Sequence, residues 1–312
     1  MIPVGIDRSG EWFLADASNR PFRAAGRPVA LSVPAGRLRV GTDDIGFDVA
    51  FPVLHGPQGE DGTVQGVFET CGVPYVGCGV LASALAMDKD LTKQVVSAAG
   101  IPTARWRTVE RPAWDDDPAQ ALADPIRSLR LPVFVKPAAQ GSSVGITRVE
   151  HENGMKDAVA HAMRYDTKVI IEQQIEGREI EVAVLDGPQA SVPGEVVVAD
   201  GWYTYDAKYA DDTSRFDAPA DLDGDDAHLV RMLAERVFQL LGLNGLARID
   251  FFYEAGTGRF VFNEANTMPG FTPISGFPKM WIASGMSYPA LCDHLIDAAL
   301  ERREIASGLS VR

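Results

Sequence analysis

The stretch that decides the fold is RIDFFYEAGTGRFVFNEANTMPG, residues 248–270. It contains two runs rich in β-branched and aromatic residues, 248–253 and 259–265, on either side of a short segment with two glycines. Two such runs joined by a glycine-containing segment predict a β-hairpin in which the glycines supply the turn. We therefore expect two antiparallel strands here.

One face of this hairpin carries polar side chains. Pairing the runs symmetrically about Thr257 places Asp250 opposite Glu264. It also places Arg248 opposite Asn266, and because side chains alternate between the faces of a strand, all four share one face. Two carboxylates at ~4 Å repel by roughly 4 kcal/mol at an effective dielectric of about 20. A cation is therefore expected between them, and oxygen ligands without His or Cys favour Mg²⁺; the alternative is a surface hairpin whose acids face water.

The opposite face of the hairpin is apolar. It is predicted to carry Ile249, Phe251, Val261 and Ala265. Side chains of this kind belong in a hydrophobic core, so the hairpin is expected to be buried on one side and functional on the other.

Composition limits the possible functions. A chain of 312 residues with 46% hydrophobic residues suggests two domains or one large α/β unit. A net charge of −14 argues against nucleic acid as a partner. Three cysteines without metal-ligand spacing suit a reducing cytosol. There is no signal-peptide pattern at the start, and the longest apolar run, 76–87, is too short for a bilayer, so a soluble cytoplasmic protein is expected.

A second candidate site region follows the apolar run 48–54, which predicts a buried strand. The glycine-rich segment 55–62 comes directly after it. In open parallel sheets, loops at the carboxyl ends of strands line the ligand crevice. His55 and Glu60 are therefore candidates for substrate contact.

A phosphate-binding loop is predicted at 137–145, PAAQGSSVG, after a strand at 131–136. Small residues let backbone N–H groups approach phosphate oxygens, and Lys136 supplies positive charge. The G-x-S-x-G pattern within this loop also fits a hydrolase nucleophile elbow. That motif requires a strand-to-helix turn, whereas 146–149 resembles a returning strand, so a flap over phosphates is favoured.

Other patterns are weaker. Asp88 is expected to cap a helix, and Lys89 in its first turn opposes the helix dipole, which suggests a role for its charge at a phosphate. The GxGxxA pattern at 77–82 lacks the context of a dinucleotide site. Residues 110–125, rich in Pro, Asp and Ala, are predicted to form a loop.

A long polar and aromatic segment, 200–219, lacks periodicity and is interpreted as a lid. Within it, Lys208 and Tyr209 offer a cation beside a phenol. Earlier in the chain, Glu179 and Glu181 lie on one face of a predicted strand; that face is either solvated or part of the site.

From His55 to the last helix, the chain resembles the D-alanine–D-alanine ligases of the ATP-grasp superfamily. The motifs that carry the resemblance are HGPQGEDGTVQG, YVGCGVLASALAMDK, VKPAAQGSSVG, EQQIEGREIEV, YDAKY, RID and NEANTMPG. It implies a mixed α/β (α+β) chain in which an ATP-grasp fold follows an incomplete, parallel-sheet pre-ATP-grasp domain. The implied domains are residues 1–86 for the substrate, then 87–303 for ATP-grasp, divided into 87–172 with the flap and 173–303 with the lid and metal site.

The resemblance also implies the cofactors, ATP and two Mg²⁺ (or Mn²⁺) ions. The residues implied for the ATP phosphates are Lys89, Lys136 and Lys208. Those implied for adenine and ribose are Glu172, Gln173, Ile175 and Glu179. Those implied for the metals are Asp250, Glu264 and Asn266, with Glu264 bridging both ions.

The implied reaction joins two D-alanines through an acyl phosphate for peptidoglycan precursor synthesis, in a homodimer. Arg248 and the N–H of Gly270 would stabilise the oxyanion. Ser275 would hold the second carboxylate, and His55 would lie near the first D-alanine. The residues implied to join the lid to the substrate pocket are Ser142 and Tyr209. The Lys-Tyr pair of the lid resembles that of the dipeptide-forming members, so D-alanine rather than D-lactate is expected as second substrate.

One departure from the family concerns the start of the chain. Residues 2–10 resemble the family's second strand, so its first strand, a loop with a Glu that grips the first D-alanine, and a helix are expected to be absent. We expect a misplaced start, which the reading frame upstream would reveal. The competing functions are another ATP-grasp carboxylate–amine ligase and an ATP-binding but inactive homologue.

Overall fold

The structure is a computed structural model that describes residues 1–16, 26–33, 36–198, 214–272 and 274–309. Lys208 and Tyr209, expected in the lid, lie outside the described residues. The mixed α/β composition expected from the sequence is confirmed.

The strands follow in chain order: β1 (Val4–Ile6), β2 (Trp12–Leu14), β3 (Arg27–Pro28), β4 (Ala30–Ser32), β5 (Arg37–Val40), β6 (Asp43–Ile45), β7 (Trp106–Glu110), β8 (Val133–Pro137), β9 (Thr147–Val149), β10 (Lys168–Gln173), β11 (Arg178–Leu185), β12 (Gln189–Ala190), β13 (Gly194–Val198), β14 (Ser214–Asp217), β15 (Leu246–Glu254) and β16 (Arg259–Asn266). The α-helices are α1 (Thr63–Cys71), α2 (Val80–Met87), α3 (Lys89–Ala98), α4 (Arg111–Asp116), α5 (Pro118–Ser128), α6 (Met155–Ala162), α7 (Gly224–Leu240), α8 (Gly276–Ala283) and α9 (Tyr288–Ser307).

The largest sheet contains the hairpin expected from the sequence. Its strand order is β14-β13-β11-β15-β16, with β12 also pairing β11. Strands β15 and β16 form the antiparallel hairpin, and β11 lies antiparallel along the other side of β15. The polar residues of the hairpin therefore have a second neighbouring strand, which is β11.

The expected hairpin register is confirmed at its polar end and wrong nearer the turn. The pairing shifts by one residue between Asp250 and Phe251, so that Phe251 pairs with Phe262. A bulge of this kind re-aims the side chains that follow it. Phe262 therefore packs in the same core cluster as Ile249 and Phe251, whereas Val261 pairs with Phe252 and is not part of that cluster.

A second, four-stranded antiparallel sheet has the order β7-β10-β8-β9. Strands β8 and β9 enclose the loop 138–146 and pair with each other, Val133 with Val149. This arrangement confirms the expected returning strand and removes the nucleophile-elbow interpretation, because no helix follows the loop directly. That the loop is a flap over phosphates stays a prediction.

The predicted loop at 110–125 is wrong, because α4 and α5 cover most of it. Both helices have proline in the first turn, where its missing N–H costs nothing. The side chain of Asp117 caps α5 by accepting from the N–H groups of Ala119 and Gln120.

The first 78 residues contain two small antiparallel sheets, β1-β2-β3 and β4-β5-β6. The expected buried strand at 48–54 is wrong: it is reduced to one parallel bridge between Ala50 and Tyr75. Ala50 accepts from the N–H of Val76 and donates to Pro74. Pro52 has no N–H to continue such a ladder, so in the described residues the parallel pairing stops there.

Candidate active site

The polar face of the hairpin is assembled as expected. Asp250 pairs across the ladder with Glu264, and Arg248 pairs with Asn266. All four lie on the side of the sheet opposite to the apolar cluster that includes Ile249. The bulge begins directly after Asp250, in the direction of the turn, so the four polar residues stay in register.

A cation already lies beside these acids. The Arg248 guanidinium binds Asp250 with two hydrogen bonds, Nε to Oδ1 at 2.8 Å and Nη2 to Oδ2 at 2.7 Å. Its Nε is also 3.4 Å from Oε1 of Glu181. Burial opposes the charge, but Asp250 and Glu181 outweigh it and raise the pKa of Arg248 well above its usual value. Arg248 therefore supplies part of the positive charge that the acids require.

Glu181 is a site residue whose role the sequence left open. It lies on β11 directly opposite Asp250, and its contact with Arg248 places it on the polar face. In the sequence, the only sign of this role was that Glu179 and Glu181 share one face of a predicted strand. The pairing of β11 with β15 shows that this face at Glu181 is part of the site and not a solvated surface. Glu179 lies on the same strand, opposite Phe252 of β15 and Val196 of β13.

Lys89 connects the hairpin with the flap. Its Nζ lies 3.8 Å from Oε2 of Glu264 and donates to the carbonyl of Gln140 at 2.5 Å. Its own backbone N–H donates to the carbonyl of Ala138 at 3.0 Å. Burial lowers the pKa of Lys89, and Glu264 acts in the opposite direction. The structure thus brings a predicted phosphate lysine to the predicted metal face.

Lys136 and Glu172 form an ion pair that the sequence did not reveal. Lys136 Nζ is 2.6 Å from Oε2 of Glu172, because β8 and β10 are adjacent strands of one sheet. The other carboxylate oxygen, Oε1, lies 2.9 Å from Nζ of Lys93. Burial alone would favour the neutral acid, but the two lysines lower the pKa of Glu172 to about 2. Glu172 is therefore an ionised, buried group between two cations.

The remaining residues predicted for adenine follow Glu172 on the connection to the next strand. Gln173 ends β10, and its N–H donates to the carbonyl of Arg105. Ile175 lies in the connection and is partly exposed. The three residues thus form a continuous segment linking the four-stranded sheet to β11.

The flap contains a strained turn. Ser142 and Ser143 have φ values of 51° and 58°, and Gly145 follows with 73°. Non-glycine residues in this left-handed region are uncommon and cluster at ligand-binding loops. A Cβ at Gly141 would lie 3.6 Å from Oε2 of Glu60, so the flap lies against the loop 56–60.

Glu60 is a buried acid in that loop, with 8% of its surface exposed. Its carboxylate accepts a short hydrogen bond from the N–H of Gly56. Burial raises the pKa of Glu60 to about 7, and the negative charge of Glu264 adds to the shift. Glu60 was a candidate from its position after an apolar run, but its burial could not be predicted.

This shift predicts a pH-dependent stability. Because the folded protein holds the Glu60 proton up to about pH 7, while the unfolded chain releases it near its ordinary pKa, stability falls as pH rises between the two values. Glu60→Gln lacks this dependence. The difference in unfolding free energy, Glu60→Gln minus the unmodified protein, is therefore expected to rise by about 1–2 kcal/mol between pH 6 and pH 8.5. Both values are measured by urea denaturation without nucleotide.

The matched control is Glu304→Gln, because Glu304 is exposed on α9. Its difference from the unmodified protein should stay constant over the same pH range. A constant difference for Glu60→Gln as well would contradict a raised pKa at Glu60.

Gly270 and Ser275, which are expected to serve the oxyanion and the second carboxylate respectively, lie close together. A Cβ at Gly270 would lie 2.8 Å from Oγ of Ser275. The same Oγ accepts from the N–H of Thr272 at 3.1 Å. A Cβ at Gly276 would lie 2.9 Å from Oε2 of Glu181, so the start of α8 approaches the polar face of the sheet.

His55 lies near the polar face of the hairpin. The adjacent Leu54 N–H contacts Sδ of Met268 at 3.0 Å, and His55 itself is hydrogen-bonded to the backbone of Met268. Although the residue as a whole is exposed, desolvation of its ring and the charge of Arg248 lower its pKa. His55 is therefore expected to be neutral at pH 7.

The oxygen atoms of the three residues predicted to bind metal suit a hard divalent cation, but they are few in number. Asp250, Glu264 and Asn266 offer carboxylate and amide oxygens, the ligands that Mg²⁺ prefers. The Oδ1 atom of Asn266 accepts from the N–H of Met268 at 3.0 Å, and Asp250 is shared with Arg248. Among the described residues, no group of three or more His, Cys, Asp or Glu forms a metal site.

Two family profiles match the chain. The one described as "D-ala D-ala ligase N-terminus" matches residues 1–78, and "D-ala D-ala ligase C-terminus" matches residues 95–297. Together these two matches include every candidate site residue except Lys89.

Similar proteins carry corresponding names. "D-alanine--D-alanine ligase A" of Bradyrhizobium diazoefficiens is 46% identical over 99% of this chain and 88% of its own length. A D-alanine--D-alanine ligase of Rhodococcus opacus is 45% identical, over 97% of this chain and 88% of its own length.

Solved structures of similar proteins carry corresponding titles. The D-alanine-D-alanine ligase of Coxiella burnetii is 35% identical with a TM-score of 0.83, over 97% of this chain and 85% of that one. VanG D-Ala:D-Ser ligase of Enterococcus faecalis is 36% identical with a TM-score of 0.84, over 96% of this chain and 89% of that one.

These neighbours confirm the expected ATP-grasp fold. In the part of the chain that the structure describes, no helix has both the length and the apolar character needed to cross a bilayer. The matched profiles, the extent of identity with these relatives and the shared fold lead to one conclusion: this chain belongs to the D-alanine–D-alanine ligase family.

Proposed function

We propose that this chain joins two D-alanine molecules at the expense of ATP, releasing D-alanyl-D-alanine, ADP and phosphate for peptidoglycan precursor synthesis. The observation that carries the proposal is the polar face of β15 and β16. There, Arg248, Asp250, Glu264 and Asn266 lie in register in a chain of this family. A phosphate lysine approaches the same face, since Lys89 lies 3.8 Å from Glu264.

The nucleotide would lie between the two sheets. Its phosphates would contact Lys89 and Lys136, with Lys208 from the lid segment. The adenine would contact the segment formed by Glu172, Gln173 and Ile175, and Glu179 would bind the ribose. The proposal is supported by the burial of the two lysines that the structure describes, since a phosphate could replace part of the solvent each has lost.

Two Mg²⁺ or Mn²⁺ ions would be held by Asp250, Glu264 and Asn266. When bound, they would offset charge on the transferring phosphoryl group. The oxygen donors of these residues suit such ions, and Arg248 would continue to share Asp250. The metals thus add to a positive field that Arg248 and Lys89 already establish.

The ligation follows from carboxylate and amine chemistry. A carboxylate oxygen of the first D-alanine attacks the γ-phosphorus, and ADP leaves. The amine of the second D-alanine then attacks the carbonyl carbon of the acyl phosphate. Collapse of the tetrahedral intermediate breaks the C–O bond, and phosphate leaves with that oxygen as the amine loses its proton.

Named side chains would serve each step. Arg248 and the N–H of Gly270 would stabilise the oxyanion. Ser275 would hold the second carboxylate, and its closeness to Gly270 supports this assignment. Neutral His55 would lie near the first D-alanine. The residues proposed to close the pocket from the flap and the lid are Ser142 and Tyr209.

A second candidate concerns the second substrate. The likeness to a solved D-Ala:D-Ser ligase, 36% identical, makes D-serine the natural competitor of D-alanine at that position. D-alanine is preferred because the Lys-Tyr pair of the lid segment resembles that of dipeptide-forming members.

The organisation follows from the same resemblance. We infer an N-terminal substrate domain over residues 1–86 and an ATP-grasp domain over 87–303, with the division at 172–173. We also infer a cytoplasmic homodimer that binds neither nucleic acid nor membrane, which is consistent with the net charge of −14.

The test is release of ADP in the presence of ATP, Mg²⁺ and D-alanine, with the product identified by mass. We expect ADP release to require D-alanine, and D-alanyl-D-alanine to form in equal amount. Parallel reactions replace half of the D-alanine by D-serine or D-lactate. ADP release that is independent of D-amino acids, or a product without D-alanine, would contradict the proposal.

A further inference from the structure

Lys93 is a buried cation for which the proposed reaction has no role. Its side chain is about 1% exposed, and it lies on α3 one turn after Lys89. Its Nζ is 2.9 Å from Glu172 and lies 5.9 Å from the centre of the Phe262 ring. Desolvation of this kind lowers the pKa of Lys93, so a lysine is kept here against a real energetic cost.

Glu172 has one more cation than its charge requires. The single carboxylate lies between Lys93 at 2.9 Å and Lys136 at 2.6 Å. Either ammonium alone would neutralise it. A buried carboxylate left without any cation is strongly destabilised, so one of the two lysines can leave Glu172 only if the other stays.

The two lysines differ in their access to the cleft. Lys136 is 12% exposed and lies at the end of β8, where the flap begins. Lys93 is enclosed between α3 and the sheets and, at about 1% exposure, is out of reach of a ligand. Lys136 is therefore the one that a phosphate can reach.

We infer that Lys93 is a positioning residue that holds the charge of Glu172, so that Lys136 can release Glu172 and bind a phosphate of the nucleotide. This inference rests on the proposed ATP-dependent function. Lys93 itself does not touch the nucleotide. In its absence, Lys136 must stay with Glu172, and the phosphates lose one cation while the adenine segment keeps its conformation.

The test compares ATP with adenosine. Lys93→Met is expected to weaken ATP binding by about 10–100-fold, the value of one charge-assisted hydrogen bond. Adenosine has no phosphate, so its affinity should change by less than about 3-fold. Both are measured by calorimetry at fixed Mg²⁺, with Lys156→Met, which removes an exposed lysine on α6, as the control.

A second pair of variants separates positioning from a general structural role. In Glu172→Gln the buried charge is gone, and Lys136 needs no replacement. Adding Lys93→Met to Glu172→Gln should therefore weaken ATP binding by less than about 3-fold. This comparison also decides the matter if Lys93→Met alone fails to fold, because the double variant buries no unpaired carboxylate.

Two results would overturn the inference: equal losses for ATP and adenosine in Lys93→Met, or a loss of ATP affinity above about 10-fold on adding Lys93→Met to Glu172→Gln. Failure of the unmodified protein to bind ATP would instead refute the proposed function. The two failures are thus distinguishable.

Discussion

Replacing Glu264 by Gln is expected to lower kcat for D-alanine-dependent ADP release by about 10³-fold or more, while the protein keeps its fold. Glu264 is a proposed metal ligand, and loss of several kcal/mol of charge stabilisation corresponds to at least this factor. Its side chain is about one-third exposed, and the amide is isosteric. The variant should also require more Mg²⁺, because it loses a proposed metal-binding carboxylate while the cationic Lys89, 3.8 Å from that carboxylate, remains.

The matched control is Glu254→Gln, at the turn of the same hairpin. Glu254 pairs with Arg259 at 2.7 Å, far along the strand from the polar face. Its variant should retain normal turnover, and both variants should melt within a few degrees of the unmodified protein. Near-normal turnover by Glu264→Gln would show that the metal assignment is wrong.

Replacing Arg248 by Ala is expected to reduce kcat by about 10²–10³-fold, the effect of removing an oxyanion donor. Affinity for ATP should fall by much less, because Arg248 is proposed to act on the acyl group and not on the nucleotide. The structure adds a second expectation. Asp250 and Glu181 both lose the cation Arg248, so stability should also decline by about 3 kcal/mol.

These effects are separated by measuring turnover, ATP affinity and thermal unfolding on the same preparations. Arg259→Ala is the control, because it removes an arginine from an exposed pair on the same hairpin. Its activity should be unchanged. A loss of ATP affinity as large as the loss of kcat in Arg248→Ala would place Arg248 in the nucleotide site instead.

The site was predictable where local chemistry determines position. The hairpin at 248–266 combines a glycine turn with strict alternation, so the pairing of Asp250 with Glu264 followed from counting residues. The bulge next to Asp250 has no local signal, because it depends on how Phe260 and Phe262 pack against Phe251 in the core. This is why the position of Val261 was predicted incorrectly.

Long-range partners were the part that the sequence could not reveal. Lys93 and Glu172 are 79 residues apart, and only the packing of α3 against the sheets brings them together. The same holds for Glu181, whose neighbour Arg248 lies on a strand that the sequence did not pair with it. A signal for Lys93 existed in its spacing from Lys89, since residues four apart share a helix face.

Local errors had local causes. The segment that forms α4 and α5 was predicted as a loop from its content of Pro, Asp and Ala. Pro112 and Pro118 stand in first turns, where proline is compatible with a helix, and α5 also contains Pro125 in its interior. The strand expected at 48–54 was predicted from its apolar run, but a strand also needs a partner, and Pro52 cannot donate to one.

The measurement that tests the central claim most directly uses D-alanine labelled with ¹⁸O in its carboxylate. In the D-alanine-dependent reaction, the acyl phosphate route transfers one labelled oxygen from the first D-alanine to each phosphate released. We therefore expect every phosphate to carry one ¹⁸O, with ADP as the other product. Unlabelled phosphate, or formation of AMP, would contradict ligation through an acyl phosphate.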